Sequence, residues 1–380
     1  MKLPFWRTKS GAAPVRIPSW ATPFGTGEVP KSYEAQVREA YLGNPVAARA
    51  IRLVTESAGG APLVSNPAGH PALGLLASAG FGASGPGLIE TLAAQLLLHG
   101  NAYVEAATGP DGLPAALFPL RPERITVESD SQGWPTGYLY RAGTSVTRYP
   151  AETVGDRAGL LHIRGYHPLD DHYGAGCLAA AAPSVALHNA AAKWNRALLD
   201  NAARPSGALV YQSGDGSTLS PEQYERLRTE MEAGFAGAAN AGRPMLLEGG
   251  LSWQALSLSP AEMDFARARD AAAREIALAF GVPPLLLGLP GDATYSNYKE
   301  ANVALWRLTL LPLTSRILSA VSAHLRNWWP GLEISVDRDA VPALSEDRER
   351  LWSQVAAADF LERDEKRAIL GLGLGLEAGR

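Results

Sequence analysis

The chain has 380 residues, 46% of them hydrophobic, which is enough for two or three globular units with real cores. Its 34 basic residues stand against 38 acidic ones for a net charge of −4, so it lacks the basic excess that drives tight, non-specific adhesion to a phosphate backbone. Its single cysteine, Cys177, rules out an intrachain disulfide, and no Cys/His set has zinc-site spacing.

Residues 1–35 are rich in Pro, Gly, Ser and Thr without periodicity and are expected to form an extended or disordered arm. Three basic residues open this arm, but no apolar run of signal-peptide length follows them. From Ala35 to Ala58 a helical pattern carries Val37, Tyr41, Val46, Ile51 and Val54, interrupted at Asn44-Pro45, which predicts two short helices. Leu88 to His99 predicts an apolar helix ended by Gly100, with a strand from Ala102 to Ala106. Further strands are expected at Ile125–Val127, Tyr138–Arg141, Ser145–Tyr149 and Leu160–Ile163. The amino-terminal half is therefore α+β.

Beyond it, Leu178 to Ala203 predicts a long alanine-rich helix, a composition suited to close helix–helix approach. A β-α-β-β insert is expected next: strand Ala208–Gln212, helix Pro221–Phe235, and strands Pro244–Glu248 and Ser252–Leu256. Ser220, Pro221 and Gln223 have the spacing of a capping box at its helix. Ser259, Pro260 and Glu262 repeat the device before a second long helix, which runs to Phe280 and stops at Gly281-Val282-Pro283-Pro284. After a Gly/Pro/Asp loop at Leu285–Ser296, the longest helix is expected over Asn297–Trp328. Val303, Trp306, Leu310, Leu313, Ile317, Val321 and Leu325 form one stripe along it. Such a helix spans about 45 Å, and Pro312 should kink or divide it. Arg307, Pro312, Arg316 and His324 interrupt its apolar run, so no membrane segment is expected. A strand at Glu333–Val336 and one charged helix from Glu346 through Leu370 close the chain.

Several stretches together resemble the HK97-type portal proteins of tailed phages, a family found also in gene transfer agents. They are Leu98-His99-Gly100-Asn101-Ala102-Tyr103, Leu161-His162-Ile163-Arg164, Ala273-Arg274-Glu275-Ile276-Ala277 running into Phe280-Gly281-Val282-Pro283-Pro284, and Tyr295-Ser296-Asn297 followed by Thr309-Leu310-Leu311-Pro312. The likeness covers Tyr41 to Gly373. It implies an α+β portal fold: an α/β wing (36–177), a stem helix (178–204), a β-α-β-β clip (205–258), a second stem helix (259–281), a tunnel loop (282–296), a long kinked wing helix and strand (297–344), and a small helical crown (345–380).

The role implied is mechanical. Identical subunits, twelve in the family, close into a ring at one capsid vertex of a virion or phage-like particle assembled in the bacterial cytoplasm. Double-stranded DNA passes through the ring without sequence recognition during packaging and ejection. The terminase large subunit and then a head-tail adaptor would dock on it, and the major capsid protein would surround it; no membrane, cofactor or metal is implied. Asp292, Thr294, Tyr295 and Asn297 would face the channel on the tunnel loop, and Arg267, Arg269, Asp270 and Arg274 would pair between neighbouring stems. No catalytic residue is implied, and the chain has no Walker sequence of its own. Two other readings stay open. His162, His167, Asp170, Asp171 and His172 fall within one short stretch and suggest a metal-dependent phosphoesterase or nuclease built on His162, Asp170 and His172. The long helices are also consistent with a non-portal scaffold or adaptor bundle.

Overall fold

Where the chain enters its first helix is set by Ser32, whose hydroxyl accepts from the Ala35 amide at 3.3 Å, so α1 (Tyr33–Val37) begins inside the stretch expected to be an arm. The computed structural model describes residues 32–77, 85–151, 159–200, 207–211, 220–235, 251–255, 265–290 and 294–370. Asn44 then caps α2 (Pro45–Gly59) through bonds of 3.0 Å from the Val46 and Ala47 amides, with Pro45 at the first helical position. The interruption expected at Asn44-Pro45 is thus a helix start.

The chain divides into two compact units: residues 1–182 with 276–380, and residues 183–275. In the first unit, α2 packs against α4 (Leu88–His99), burying Ala47, Ala50, Ile51, Val54 and Ala58 against a face of Leu88, Ile89, Leu92, Ala93, Leu96 and Leu97. Strand β2 (Asn101–Thr108) follows α4 and lies between β3 (Pro114–Leu120) and β7 (Leu161–Arg164) in an antiparallel sheet. A second antiparallel sheet orders β4 (Ile125–Ser129), β5 (Pro135–Ala142) and β6 (Ser145–Pro150). Tyr103, Leu120, Ile125, Val127, Tyr138, Leu160 and Tyr173 form one buried cluster with residues from both sheets. Two short elements carried no periodicity to betray them: α3 (Ala72–Leu76), and β1 (Leu63–Asn66), whose four residues pair antiparallel with β10 (Glu333–Val336) from the far end of the chain.

The long helix departs from its expected form in an informative way. It comprises α8 (Tyr295–Leu305), a π turn (Trp306–Leu310) and α9 (Leu311–Leu325). The Leu311 amide donates to the Trp306 carbonyl, one residue further back than in an α-helix. Pro312 accounts for this: it has no N–H for the carbonyl four residues earlier, and its ring would press on that carbonyl. Widening the preceding turn by one residue relieves both problems. The run Ser296–Leu325 does reach the length and apolarity of a membrane span, with a mean hydropathy of 1.2, contrary to expectation. Its apolar face is nonetheless core, with Leu310, Ile317, Leu318, Val321 and Leu325 buried and α9 packed on α4, β7 and β10.

The single carboxy-terminal helix expected over 346–370 is two: α10 (Ser345–Ala357) and α11 (Arg363–Ile369). The second starts anew because Glu362 and Glu365 form a reciprocal capping box. Arg348 holds the pair together by bonding to the Asp339 carboxylate and donating to the Leu370 carbonyl at 3.0 Å.

Helix α5 (Cys177–Asp200) leads into the second unit, and α7 (Phe265–Ala279) leads back from it. Within that unit the two run antiparallel: Ser184 donates to Glu275 at 2.6 Å, and Arg269 Nε lies 3.4 Å from His188 Nε2. Val185, His188 and Ala191 are the buried face of α5 there, and Ala272 and Ala273 that of α7, so small residues let the backbones approach. Between them, β8 (Gly207–Tyr211) pairs antiparallel with β9 (Leu251–Ala255), and α6 (Pro221–Phe235) carries the expected box, with Ser220 N donating to Gln223 Oε1 at 2.9 Å and Gln223 N to Ser220 Oγ at 3.2 Å. The strand expected at Pro244–Glu248 and the helix start expected at Ser259-Pro260 lie outside the described residues.

Candidate functional site

Two joints hold the ends of the long helices in the first unit. The first lies at the root of α5. Gly100 ends α4 in the left-handed conformation, φ +83°, and donates to the Gln95 and Leu96 carbonyls. Gly165, Gly174 and Gly176 crowd onto the same backbone: the Gly165 amide donates to the Gly100 carbonyl at 2.7 Å, and a Cβ on Gly176 would lie 2.7 Å from the Leu98 oxygen. Asn101, fully buried, ties them together. Its Oδ1 accepts from the Gly174 amide at 2.7 Å and from His162 Nε2 at 3.0 Å. Its amide group donates to the Gly174 carbonyl at 3.2 Å, the His99 carbonyl at 3.3 Å and His99 Nδ1 at 3.1 Å.

A backbone N–H can only donate, so Gly174 fixes which end of the Asn101 amide is oxygen. That assignment places the proton of His162 on Nε2 and leaves His99 Nδ1 bare as an acceptor. The His99 ring is therefore neutral. Burial pushes the His162 imidazole down to about 3, helped by the nearby positive charge of Arg164 and by His99 and His172, and burial alone pushes His99 down to about 4.

The residues of the possible phosphoesterase centre are occupied by this architecture. His162 stacks face to face on Tyr103 with ring centroids 4.2 Å apart and has its Nε2 committed to Asn101. Asp170 accepts from the His172 and Tyr173 amides at 2.8 and 3.0 Å, a side-chain-closed turn. The Asp171 carbonyl takes a bond from Arg164, and His167 Nδ1 accepts from the Leu169 amide at 3.1 Å. Among the described residues no group of three His, Cys, Asp or Glu side chains is placed to hold a metal ion. Sequence proximity suggested chemistry where the structure has a β-strand end and a braced loop.

The second joint lies between α7 and the π turn. Helix α7 ends in a Schellman motif: the Val282 amide donates to Ala277 O at 2.9 Å and the Gly281 amide to Leu278 O at 3.0 Å, with Gly281 at φ +66°. Thr309, in the π turn, donates its hydroxyl to the Gly281 carbonyl at 2.6 Å. A methyl on Gly281 would sit 2.7 Å from Thr309 Oγ1. Gly281→Ala therefore meets both an unfavourable φ and a collision, and is expected to lower stability by about 1–3 kcal/mol. Urea unfolding of Gly281→Ala, Thr309→Ala and the double variant separates the terms: Thr309→Ala alone gives the cost of the lost bond to the Gly281 carbonyl, and the coupling between the two substitutions gives the collision's share.

Of the four residues expected on the tunnel loop, Asp292 lies outside the described residues. Thr294 is the N-cap of α8, its hydroxyl accepting from the Asn297 amide at 3.2 Å, so Tyr295 and Asn297 belong to the helix rather than to a loop. Thr is a favoured N-cap residue, but the Tyr-Ser-Asn that follows it has modest helix propensity, which is why the helix start was expected two residues late. Pro284–Leu287 form a 3-10 turn. On α7, Arg267, Arg269, Asp270 and Arg274 are all exposed; Arg269 reaches His188 across the antiparallel pair, and its charge helps lower the His188 pKa after burial, against Asp270. Asn101 was named only as part of the stretch that carries the family resemblance; its role in joining Gly174, His162 and His99 had no sequence signal.

These features define an α+β protein in which glycine-centred joints fix the ends of long helices. Its sequence matches the phage portal protein family over residues 45–371. It is 47% identical to a chain of the virion of a native gene transfer agent particle, with a TM-score of 0.70 over 91% of this chain and 94% of that one. A chain from the neck of a native gene transfer agent particle, computed with C12 symmetry, is 46% identical with a TM-score of 0.69 over the same shares. An uncharacterized protein of Rickettsia felis is 40% identical over 346 residues, 88% of each chain. The chain belongs to the phage portal protein family.

Proposed function

We propose that this chain is the portal subunit of a gene-transfer-agent or phage-like particle, twelve copies closing into a ring at one capsid vertex. The observation that carries this reading is the likeness, at 46% identity and over nine-tenths of the chain, to a subunit of a particle neck with C12 symmetry. A closed ring of identical subunits satisfies its head-to-tail contacts by rotation and leaves an axial hole. Double-stranded DNA passes through that hole during packaging and ejection. A net charge of −4 suits a conduit, because each phosphate neutralised by a lining cation adds salt-dependent affinity and slows passage.

In this reading the segment around Asp292, Thr294, Tyr295 and Asn297 borders the channel. Arg267, Asp270 and Arg274 on the exposed face of α7 pair with a neighbouring stem. The terminase large subunit docks during filling, the head-tail adaptor replaces it, and the major capsid protein encloses the ring. Energy comes from the terminase, and this chain makes and breaks no bond.

Native mass spectrometry and negative-stain electron microscopy of the purified chain test the proposal. Rings of twelve copies with a central opening wider than a duplex, about 20 Å, are expected from closed cyclic assembly. A compact dimer with metal-dependent nuclease activity would overturn it.

A further inference from the structure

The two most exposed large apolar side chains among the described residues, Leu169 at 86% and Tyr166 at 84%, belong to one loop, that between β7 and α5. An exposed leucine on a floppy loop is unremarkable, but this loop is braced along its length. At its start Arg164 reaches across to the Asp171 carbonyl, and the Gly165 amide is bound to the Gly100 carbonyl. Its middle is closed by His167 accepting from the Leu169 amide and Asp170 accepting from those of His172 and Tyr173. At its end the Tyr173 hydroxyl accepts from the Val127 amide at 2.9 Å, and the Gly174 amide is held by Asn101. Tyr166 and Leu169 are thus held out to solvent on a backbone that has little freedom left to lose on docking, which is the condition under which a few apolar contacts dominate an interface.

The same loop carries the carboxylates of Asp170 and Asp171, which repel phosphate and so disfavour DNA or an anionic membrane surface as the occupant. A protein surface remains. In a ring of C12 symmetry every copy has a neighbour on each side and must offer each a different surface, so a second copy is a protein surface available to every subunit of the ring. We infer that the Tyr166–Leu169 loop is an inter-subunit contact, inserting its two apolar side chains into the adjacent copy of this chain. The inference rests on the portal-ring reading above and adds to it the residues that seal one side of the ring.

The test uses the full chain in two forms. In the first, Tyr166→Ser/Leu169→Ser is compared with the unmodified protein by native mass spectrometry across a concentration series, with a Trp134→Ser control at another exposed aromatic. The concentration for half-assembly is expected to rise at least tenfold in the double variant and to stay put in the control, with thermal unfolding of the unassembled chain unchanged. In the second, a photoreactive phenylalanine replaces Tyr166 and the assembled protein is irradiated; an adduct of two chains is expected. Rings that form equally well in the double variant, or rings that yield no two-chain adduct, overturn the inference and leave the portal reading standing. Failure of the unmodified chain to form rings removes the portal reading, and the inference with it.

Discussion

Asn101→Ala is expected to lower the stability of the first unit by about 3–5 kcal/mol, among the largest effects of any single substitution in the chain. The truncation leaves the Gly174 amide and His162 Nε2 without the Oδ1 they share, in a pocket that solvent does not reach. Each buried donor left unpaired costs about 1–3 kcal/mol. Asn101→Asp separates the two halves of the network: it keeps the acceptor but turns a carboxylate oxygen toward the His99 and Gly174 carbonyls in place of a donor. Both variants should unfold at lower urea concentration, with Asp no better than Ala at pH 7. A loss of less than 1 kcal/mol for Asn101→Ala would mean that water fills the space and restores the bonds. The consequence reaches beyond stability, because Gly174 stands three residues before α5. Loosening the knot frees the root of that helix, and ring closure should weaken along with the fold.

The broad architecture was legible from the sequence because it is written in long periodic segments. Helix α4 with its Gly100 stop, the strand at Glu333–Val336 and the capping box at Ser220–Gln223 each rest on local signals that tertiary packing had no reason to override. Strand β1 was invisible because its four residues pair with β10, some 270 positions away, and no local pattern encodes so distant a partner. Pro312 announced a break in the long helix, but not that a π turn would absorb it or that Thr309 would then meet Gly281. The His/Asp cluster misled in a physically instructive way. Residues close in sequence across a strand end point to different environments: His162 is stacked in the core while Asp170 closes a turn. Asn101 illustrates the reverse, since Gly174, His162 and His99 converge on it from three separate elements.

The buried histidines make acid sensitivity the other large expected effect. Burial lowers His162 to about 3, His99 to about 4 and His324 to about 4, whereas each titrates near 6.5 in the unfolded chain. Above pH 6.5 all three are neutral in both states and contribute no pH dependence. As pH falls below that, the unfolded chain binds protons that the folded one refuses, so stability declines by up to about 1.4 kcal/mol per pH unit for each ring. The decline continues until the folded pKa values are reached. Three rings acting together remove most of an ordinary domain's 5–15 kcal/mol, roughly speaking, within two to three pH units, so cooperative acid unfolding is expected between about pH 5 and 4. His324 offers the sharpest check. Its Nε2 is buried without a hydrogen-bond partner, and its ring packs edge-on against Trp328 at 5.6 Å. His324→Leu removes a proton-binding group without breaking a bond, so it should leave stability at pH 7.5 nearly unchanged and reduce the slope of unfolding free energy between pH 6 and 4.5 by about 1.4 kcal/mol per pH unit. His162→Leu cannot behave in this way, because it strips a donor from Asn101 and should destabilise the fold at every pH. Equal slopes for His324→Leu and the unmodified chain would show that His324 binds its proton equally well in the folded and unfolded chain and takes no part in the acid response.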